Sequence, residues 1–457
     1  MDNTKKIIKY TDSLKTWSDV EFNNILNKNN IKKHRIIGMT FPEQNTSLGL
    51  EPSVLTVLPD GDNVEYSLHN INFNNDDVDY YVCAVYISGY DEFKEWAAHH
   101  DKTKIIVGGY QPTTFPEDFL NYADKVIVGT CDDFFATIKQ DGKVVKGITN
   151  HKKIPRYDLY DSSYNQQIIP DKLPNELAIS INTSCGCPFK CDFCCSPLMA
   201  AKIESKPLDL IKKEVDYLST IAKQRLDNNE NVYLFIRDEN FPLQPDWKDR
   251  LKEINRIGAK IYLFASANLL TEDMAKTFKE NNVYMVCLGL EDITVSYSKN
   301  KKLDESVKLL KKYGIYTYLS FIVNPLKIIG KDKGTDFYDR LIARFEELKP
   351  EMVCGNFLMP FRGTKIWDEY YAFVSPDDYK DYDSKSAFLV KNPVLRKKME
   401  FFMYYYQAKY YRSSFYKENV RTFCKENVNE QDTLCERFME LDSKFIPMFE
   451  ELWNKRA

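Results

Sequence analysis

A chain of 457 residues with a net charge of -4 has no whole-surface electrostatic grip on a polyanion, which argues against nucleic acid as a general partner. Its 43% hydrophobic and 28% charged content is that of a globular protein long enough for two or three cores. No apolar run reaches the ~18 residues of a membrane span. The opening MDNTKKIIKYTDSLK has no apolar segment of signal-peptide length, so a cytoplasmic location is expected.

Residues 1–33 read as an N-terminal extension. From residue 34 short apolar runs alternate with helical patterns, which is the mark of α/β architecture. Arg35–Met39, Val64–Leu68, Tyr80–Ile87, Lys104–Val107 and Lys125–Val128 are predicted strands, and Asp91–His100 a predicted helix. Asp141-Gly142 reads as a tight hairpin turn, because that dipeptide tolerates positive φ. Residues 34–150 thus form a doubly wound, Rossmann-like domain. Residues 151–176, with prolines and little periodicity, read as a linker.

A second alternating block spans 177–375. Its predicted strands are Leu177–Asn182, Val232–Ile236, Lys260–Ala265, Tyr284–Leu288, Tyr316–Val323 and Met352–Leu358. Leu208, Ile211, Val215 and Leu218 recur at helical spacing within Leu208–Ile221. Asp304 is the expected N-cap of a helix over Glu305–Tyr313, with Gly314 its stop. Six βα units predict a parallel sheet curled into a partial (β/α)6 barrel of the TIM type, with sites at the strands' carboxyl ends. Residues 376–457 read as helical. They crowd Phe401, Phe402, Tyr404, Tyr405, Tyr406, Tyr410, Tyr411, Phe415 and Tyr416 into one segment. Core packing against the barrel is the first reading of that segment, and an aromatic lid over its mouth the second.

Five of the eleven cysteines fall between Cys185 and Cys195. That crowding points to metal ligation in a reduced compartment rather than to a disulfide framework. Cys187, Cys191 and Cys194 are separated by three and two residues, so one short loop can wrap three thiolates around a face of an iron–sulfur cubane. Three ligands leave one iron open, as in catalytic metal sites. The competing reading is a four-thiolate zinc site on Cys185, Cys187, Cys191 and Cys194, compressed for a zinc ribbon.

Cys187-x-x-x-Cys191-x-Phe193-Cys194 resembles the signature of the radical S-adenosylmethionine (SAM) superfamily, and Thr183-Ser184-Cys185-Gly186-Cys187-Pro188 resembles its usual context. Further resemblances follow in chain order. They are Pro155-Arg156-Tyr157-Asp158-Leu159 before the barrel, Phe235-Ile236-Arg237-Asp238-Glu239-Asn240-Phe241 after its second strand, Leu288-Gly289-Leu290-Glu291 after its fourth, and Met359-Pro360 with Gly363-Thr364 after its sixth. The resemblance implies a 4Fe-4S cluster on Cys187, Cys191 and Cys194, with SAM chelating the fourth iron. It implies Phe193 beside the adenine, and Asp238, Glu239, Ser266, Asn268 and Glu291 as SAM-binding positions. A one-electron reductant such as flavodoxin or ferredoxin, and a small-molecule or peptide substrate, are the implied partners.

Residues 34–150 resemble the cobalamin-binding domain that precedes the barrel in one branch of that superfamily. The pieces carrying this are Val85-Tyr86-Ile87-Ser88-Gly89, Ile106-Val107-Gly108-Gly109 and Ala123-Asp124-Lys125-Val126-Ile127-Val128-Gly129. Small residues there let backbone approach a large flat ligand, and cobalamin is the implied further cofactor. The branch's Asp-x-His-x-x-Gly motif is missing: Met39 is followed by Thr40-Phe41-Pro42-Glu43-Gln44, Thr130 follows Gly129, and neither His69 nor His99-His100 restores it. The expected function is reductive cleavage of SAM, with cobalamin-dependent methylation of an unactivated carbon as the fuller reading. The alternatives are a non-methylating rearrangement, cyclisation or oxidation, and a non-catalytic zinc or iron–sulfur module.

Overall fold

The computed structural model describes residues 34–41, 54–61, 63–67, 77–159, 176–295, 300–331, 335–427 and 434–441. The 1–33 extension, His69 and residues 160–175 of the expected linker lie outside them. The first sheet comprises β1 (Ile36–Phe41), β2 (Val64–Tyr66), β3 (Tyr80–Val85), β4 (Ile105–Gly108), β5 (Lys125–Val128) and β6 (Val144–Lys146). Their order is β2-β1-β3-β4-β5-β6 and every pair is parallel. A parallel sheet must be covered on both faces. The sequence of β3, YYVCAV, meets that demand: Tyr81, Cys83 and Val85 face one core, and Val82 and Ala84 face another.

Two expectations fail in this sheet. Asp141-Gly142 is not a hairpin turn, because β5 and β6 are parallel. The helix Phe134–Ile138, capped by Asp133, supplies the crossover, and the Asp-Gly step turns the chain into β6. β3 stops at Val85 rather than Ile87, where Ile87–Gly89 tightens into a single 3-10 turn ahead of the helix Tyr90–Ala97.

The second sheet begins with β7 (Glu176–Ile181). A short antiparallel ribbon follows, β8 (Ser184–Cys185) with β9 (Glu204–Ser205). β10 (Asn231–Ile236), β11 (Lys260–Phe264), β12 (Val283–Glu291), β13 (Tyr316–Val323) and β14 (Met352–Phe357) complete it. The order β14-β13-β12-β11-β10-β7 is wholly parallel and sequential, an open half-barrel with its strands' carboxyl ends on one side. The helix after β9 runs Leu208–Asp227, beyond the predicted Ile221. No Gly or Pro interrupts it and buried Ala222 extends its apolar face. Asp304 does not cap its helix. The helix spans Leu303–Lys312, and Asp304 instead grips the Arg344 guanidinium with both carboxylate oxygens, at 2.5 and 3.0 Å. A two-pronged ion pair outweighs one capping hydrogen bond.

The aromatic C-terminal segment is core. Helices Pro393–Arg412 and Ser414–Asn427 bury Tyr404, Tyr406, Tyr410, Tyr411 and Tyr416 in the same cluster as the barrel. Buried phenols need partners, and here they find the edge strand. Tyr411 Oη accepts from Val353 N at 2.8 Å and donates to Val353 O at 2.9 Å, while Tyr410 and Tyr416 donate to Pro350 O and Glu351 O. Tyr411→Phe should therefore strand a buried N–H and its carbonyl, lowering unfolding free energy by about 1–3 kcal/mol in urea titrations. A loss below 0.5 kcal/mol on the order of surface substitutions would refute that role. Cys424 and Cys435 form a disulfide that the sequence reading did not anticipate. Among the described residues no helix is long and apolar enough to cross a membrane.

Candidate metal centre and adjoining cavity

The site is built where β7 and β10 end. Beyond β7, Thr183 and Ser184 turn the chain out of the barrel, and Asp238, two residues past β10, holds that turn. Its carboxylate accepts from Thr183 N (2.6 Å), Ser184 N (3.1 Å), Thr183 Oγ1 (2.5 Å), Ser184 Oγ (2.7 Å) and Gln244 Nε2 (2.7 Å). Asp238 is fully buried, and desolvation raises its pKa against the pull of these donors. Both oxygens are thus engaged by the loop entry. Expected among the SAM-binding positions, Asp238 here fixes the path of the chain into the cysteine loop. Glu239 takes the next contact, Oε2 accepting from Gly186 N at 3.1 Å. Burial lifts its pKa as well.

The cysteine loop leaves β8 through Gly186, whose φ is +91°. A Cβ there would lie 2.6 Å from Ala200 O and 2.5 Å from Lys202 O, so two backbone carbonyls close the position to any side chain. Gly186→Ala should cost about 1–3 kcal/mol in strain and loosen the loop, read as faster iron loss from reconstituted protein. Iron retention and stability equal to the parent would contradict this. Cys187, Cys191 and Cys194 are half-buried along the loop, and Cys194 N donates to Cys191 O at 3.1 Å in a tight turn. The loop's far side docks on the helix Lys365–Tyr370: Ile366 N donates to Asp192 O at 3.0 Å, and Lys365 pairs with the Asp192 carboxylate. Phe193 packs on the aromatic core shared by the two sheets. Burial pushes the neighbouring thiols of Cys185 and Cys195 up to about 12.

Among the described residues no three His, Cys, Asp or Glu side chains converge on a single ion position. A cubane takes each thiolate at a separate iron, and this loop offers three half-buried cysteines as donors.

The remaining expected positions line successive strand ends. Ser266, beyond β11, is held by Asn240. Asn240 Nδ2 donates to Ser266 Oγ at 2.7 Å and Ser266 N donates to Asn240 Oδ1 at 3.1 Å. Asn268 follows in the turn Ala267–Leu269. Glu291 closes β12 at φ +60°, 7% exposed. Its carboxylate folds back over Gly289, where a Cβ would overlap Oε1, so the small residue leaves the Glu291 side chain free to take this position. Asn240 and Gln244 are site residues that the sequence reading left unassigned. Asn240 belongs to the acidic segment after β10, and its role depends on Ser266 across the strands.

A cavity of about 510 Å³ opens between the residues flanking the cysteine loop, Ser184 and Cys185 before it and Ser196 and Met199 after it, and the carboxyl ends of the first sheet. Glu239, Cys185, Ser184 and Met199 form its barrel side, and Ala84, Gly108, Gly109 and Gly129 its other side. The strands' carboxyl ends are where doubly wound sheets take ligands. A Cβ on Gly108 would meet only Ile127, at 3.6 Å or more, so its smallness leaves room toward the cavity. Tyr110 stands in the wall, its hydroxyl held well above the usual phenol range by desolvation. His151 also lines the cavity, with Nδ1 3.9 Å from Asp132 Oδ2; the sequence reading passed it over. His99 and His100 are turned onto the carbonyls of Glu95 and Trp96.

Residues 181–328 match the radical SAM superfamily. The bacteriochlorophyllide d C-8(2)-methyltransferase of Chlorobaculum tepidum is 24% identical over 323 residues, 64% of this chain and 67% of that protein. The same organism's C-12(1)-methyltransferase is 23% identical over 61% of this chain and 62% of its own. The ribosomal protein uS12 methylthiotransferase RimO of Petrotoga mobilis is 22% identical, and this chain spans half its length. Among solved structures, the radical SAM methyltransferase TsrM from Kitasatospora setae, with cobalamin and a 4Fe-4S cluster bound, superposes at a TM-score of 0.51. It shares 14% identity, and the match covers 74% of this chain and 78% of TsrM.

Proposed function

We propose, from the match of residues 181–328 to the radical SAM superfamily, that this chain is a cobalamin-dependent radical SAM methyltransferase acting on an unactivated carbon. One observation carries the reading: the segments flanking the three-cysteine loop, through Ser184, Cys185, Ser196 and Met199, border a cavity that a doubly wound sheet closes from the other side. Cys187, Cys191 and Cys194 would hold a 4Fe-4S cluster, which when bound supplies one low-potential electron to a sulfonium. Glu239, Ser266, Asn268 and Glu291 would orient SAM, with Phe193 bordering its adenine. Asp238 positions the loop that carries the thiolates.

Gly108, Gly109 and Gly129 would floor a corrinoid in the cavity, and cobalamin, when bound, supplies a metal that can carry a methyl group. The protein's own part is to exclude water. Met199, Phe235 and Phe264 present apolar surface to that space, and a closed, dry site limits side reactions. A one-electron reductant such as flavodoxin or ferredoxin, and a cytoplasmic location, complete the proposal.

Anaerobic reconstitution tests it. The expected result is roughly four irons and four sulfides per chain, corrinoid absorbance after growth with cobalamin, and reductant-dependent S-adenosylhomocysteine with 5′-deoxyadenosine. Deoxyadenosine without corrinoid would select a non-methylating reaction. One zinc and no SAM binding would select a non-catalytic module.

A further inference from the structure

The mouth of the half-barrel carries a cation that the chemistry above does not use. Alternate residues along parallel strands share a face, and the pairings Phe235↔Tyr262, Phe264↔Cys287, Cys287↔Tyr318 and Ser320↔Cys354 trace the inward face. Its wall is aromatic: Phe235 stacks on Tyr262 at 4.6 Å, meets Phe264 edge-on at 5.1 Å, and Tyr262 leans on Tyr318 at 6.0 Å. Toward the open edge it becomes polar, where Asn356 Nδ2 donates to Ser320 Oγ at 3.2 Å.

β14 is the free edge of this sheet. The segment after residue 382 runs along that edge, with Phe357 N donating to Ser384 O at 2.8 Å. Asp383 pins the segment through Lys385 N and Ser386 N. From there Lys385 reaches around the edge, and its Nζ stands 3.0 Å from Gly355 O, 3.4 Å from Asn356 Oδ1 and 3.5 Å from Cys354 Sγ. The carbonyl contact is a good hydrogen bond, the thiol contact is of ordinary length for sulfur and the amide contact is long, and all three acceptors are neutral. Among the described residues Lys385 makes no salt bridge, and its contacts are with neutral groups. Neutral acceptors leave the positive charge of this half-buried ammonium uncompensated, and an anion entering from the inward face would compensate it.

Resting on the radical SAM reading, we propose that Lys385 anchors the carboxylate of a planar aromatic substrate whose ring system lies against the half-exposed rings of this wall, Phe235, Phe264 and Tyr318. The rings give flat apolar surface, and the ammonium fixes which end of the molecule faces β14. Lys385 is thereby a specificity-determining residue, and Ser320 and Asn356 complete its polar corner.

The test compares indole-3-propionate with indole-3-propionamide on the reconstituted full-length protein, with binding read by calorimetry. The acid should bind roughly tenfold or more tightly than the amide, the worth of a charge-assisted hydrogen bond. Lys385→Met should erase the preference and Lys385→Arg should restore part of it. Substrate-free deoxyadenosine formation, measured alongside, should be equal in the parent and Lys385→Met. Its absence in both would count against the radical SAM reading and leave the binding result to be judged separately. Equal binding of acid and amide by the parent, binding of neither, or a preference surviving in Lys385→Met would each overturn the proposal.

Discussion

Cys191→Ala is expected to lower SAM cleavage by roughly a thousandfold or more, about 4 kcal/mol of barrel chemistry lost with the electron donor. The backbone argument says that the fold survives. Cys191 contributes its carbonyl to the turn with Cys194, which alanine keeps, and its side chain is half-buried, so unfolding free energy should change by less than about 1 kcal/mol. Iron in the reconstituted variant should fall well below the parent, and the broad absorbance of the cluster should fade with it. The control is Cys185→Ala. Cys185 lies on β8, before Gly186, with its thiol toward Glu239 Oε1 at 4.0 Å. It should keep the parent's iron and its SAM cleavage. Equal iron loss in both variants would point to four thiolates around one centre, and undiminished turnover in Cys191→Ala would end the three-cysteine assignment.

Much of the architecture was legible because it rests on local pattern. Parallel strands covered on both faces need continuous apolar runs, and those runs locate β3, β4, β5 and all six barrel strands within a few residues. The cysteine loop was legible because its chemistry is written in spacing. What escaped depends on where a side chain points across the fold. An acidic pair after a strand cannot say that Asp238 turns back to Thr183 and Ser184 while Glu239 faces the cavity. Asp304 looks like a cap until Arg344, forty residues on, is brought beside it. Asp-Gly suits a hairpin, yet the five-residue helix Phe134–Ile138 converts the connection to a parallel crossover. Lys385 and Asn240 carry no local signal at all, since their partners come from neighbouring strands.

Asp238→Ala should be among the most destabilising single substitutions in this chain. It leaves five donors facing a void, two of them backbone N–H groups of Thr183 and Ser184. Buried unsatisfied groups cost about 1–3 kcal/mol each, and partial relaxation and added water bring the expected total to about 3–5 kcal/mol. Asp238→Asn should cost far less, about 1–2 kcal/mol, for an identifiable reason. Its amide keeps one acceptor for the backbone donors. The Ser184 and Thr183 hydroxyls can rotate, and Gln244, whose Oε1 is buried without a hydrogen-bond partner, can turn its amide to accept. Burial raises the folded pKa of Asp238. Its ionisation therefore costs stability as pH rises from the ordinary aspartate range through the raised value, and Asn is free of that cost. The gap between Asn and parent should accordingly narrow with rising pH, while the gap between Ala and Asn persists. Urea denaturation of the three proteins at pH 5 and pH 8, about one and four units above an ordinary aspartate, gives the measurement. Should Ala and Asn prove equally stable, the five-donor cradle is not what holds the cysteine loop in place.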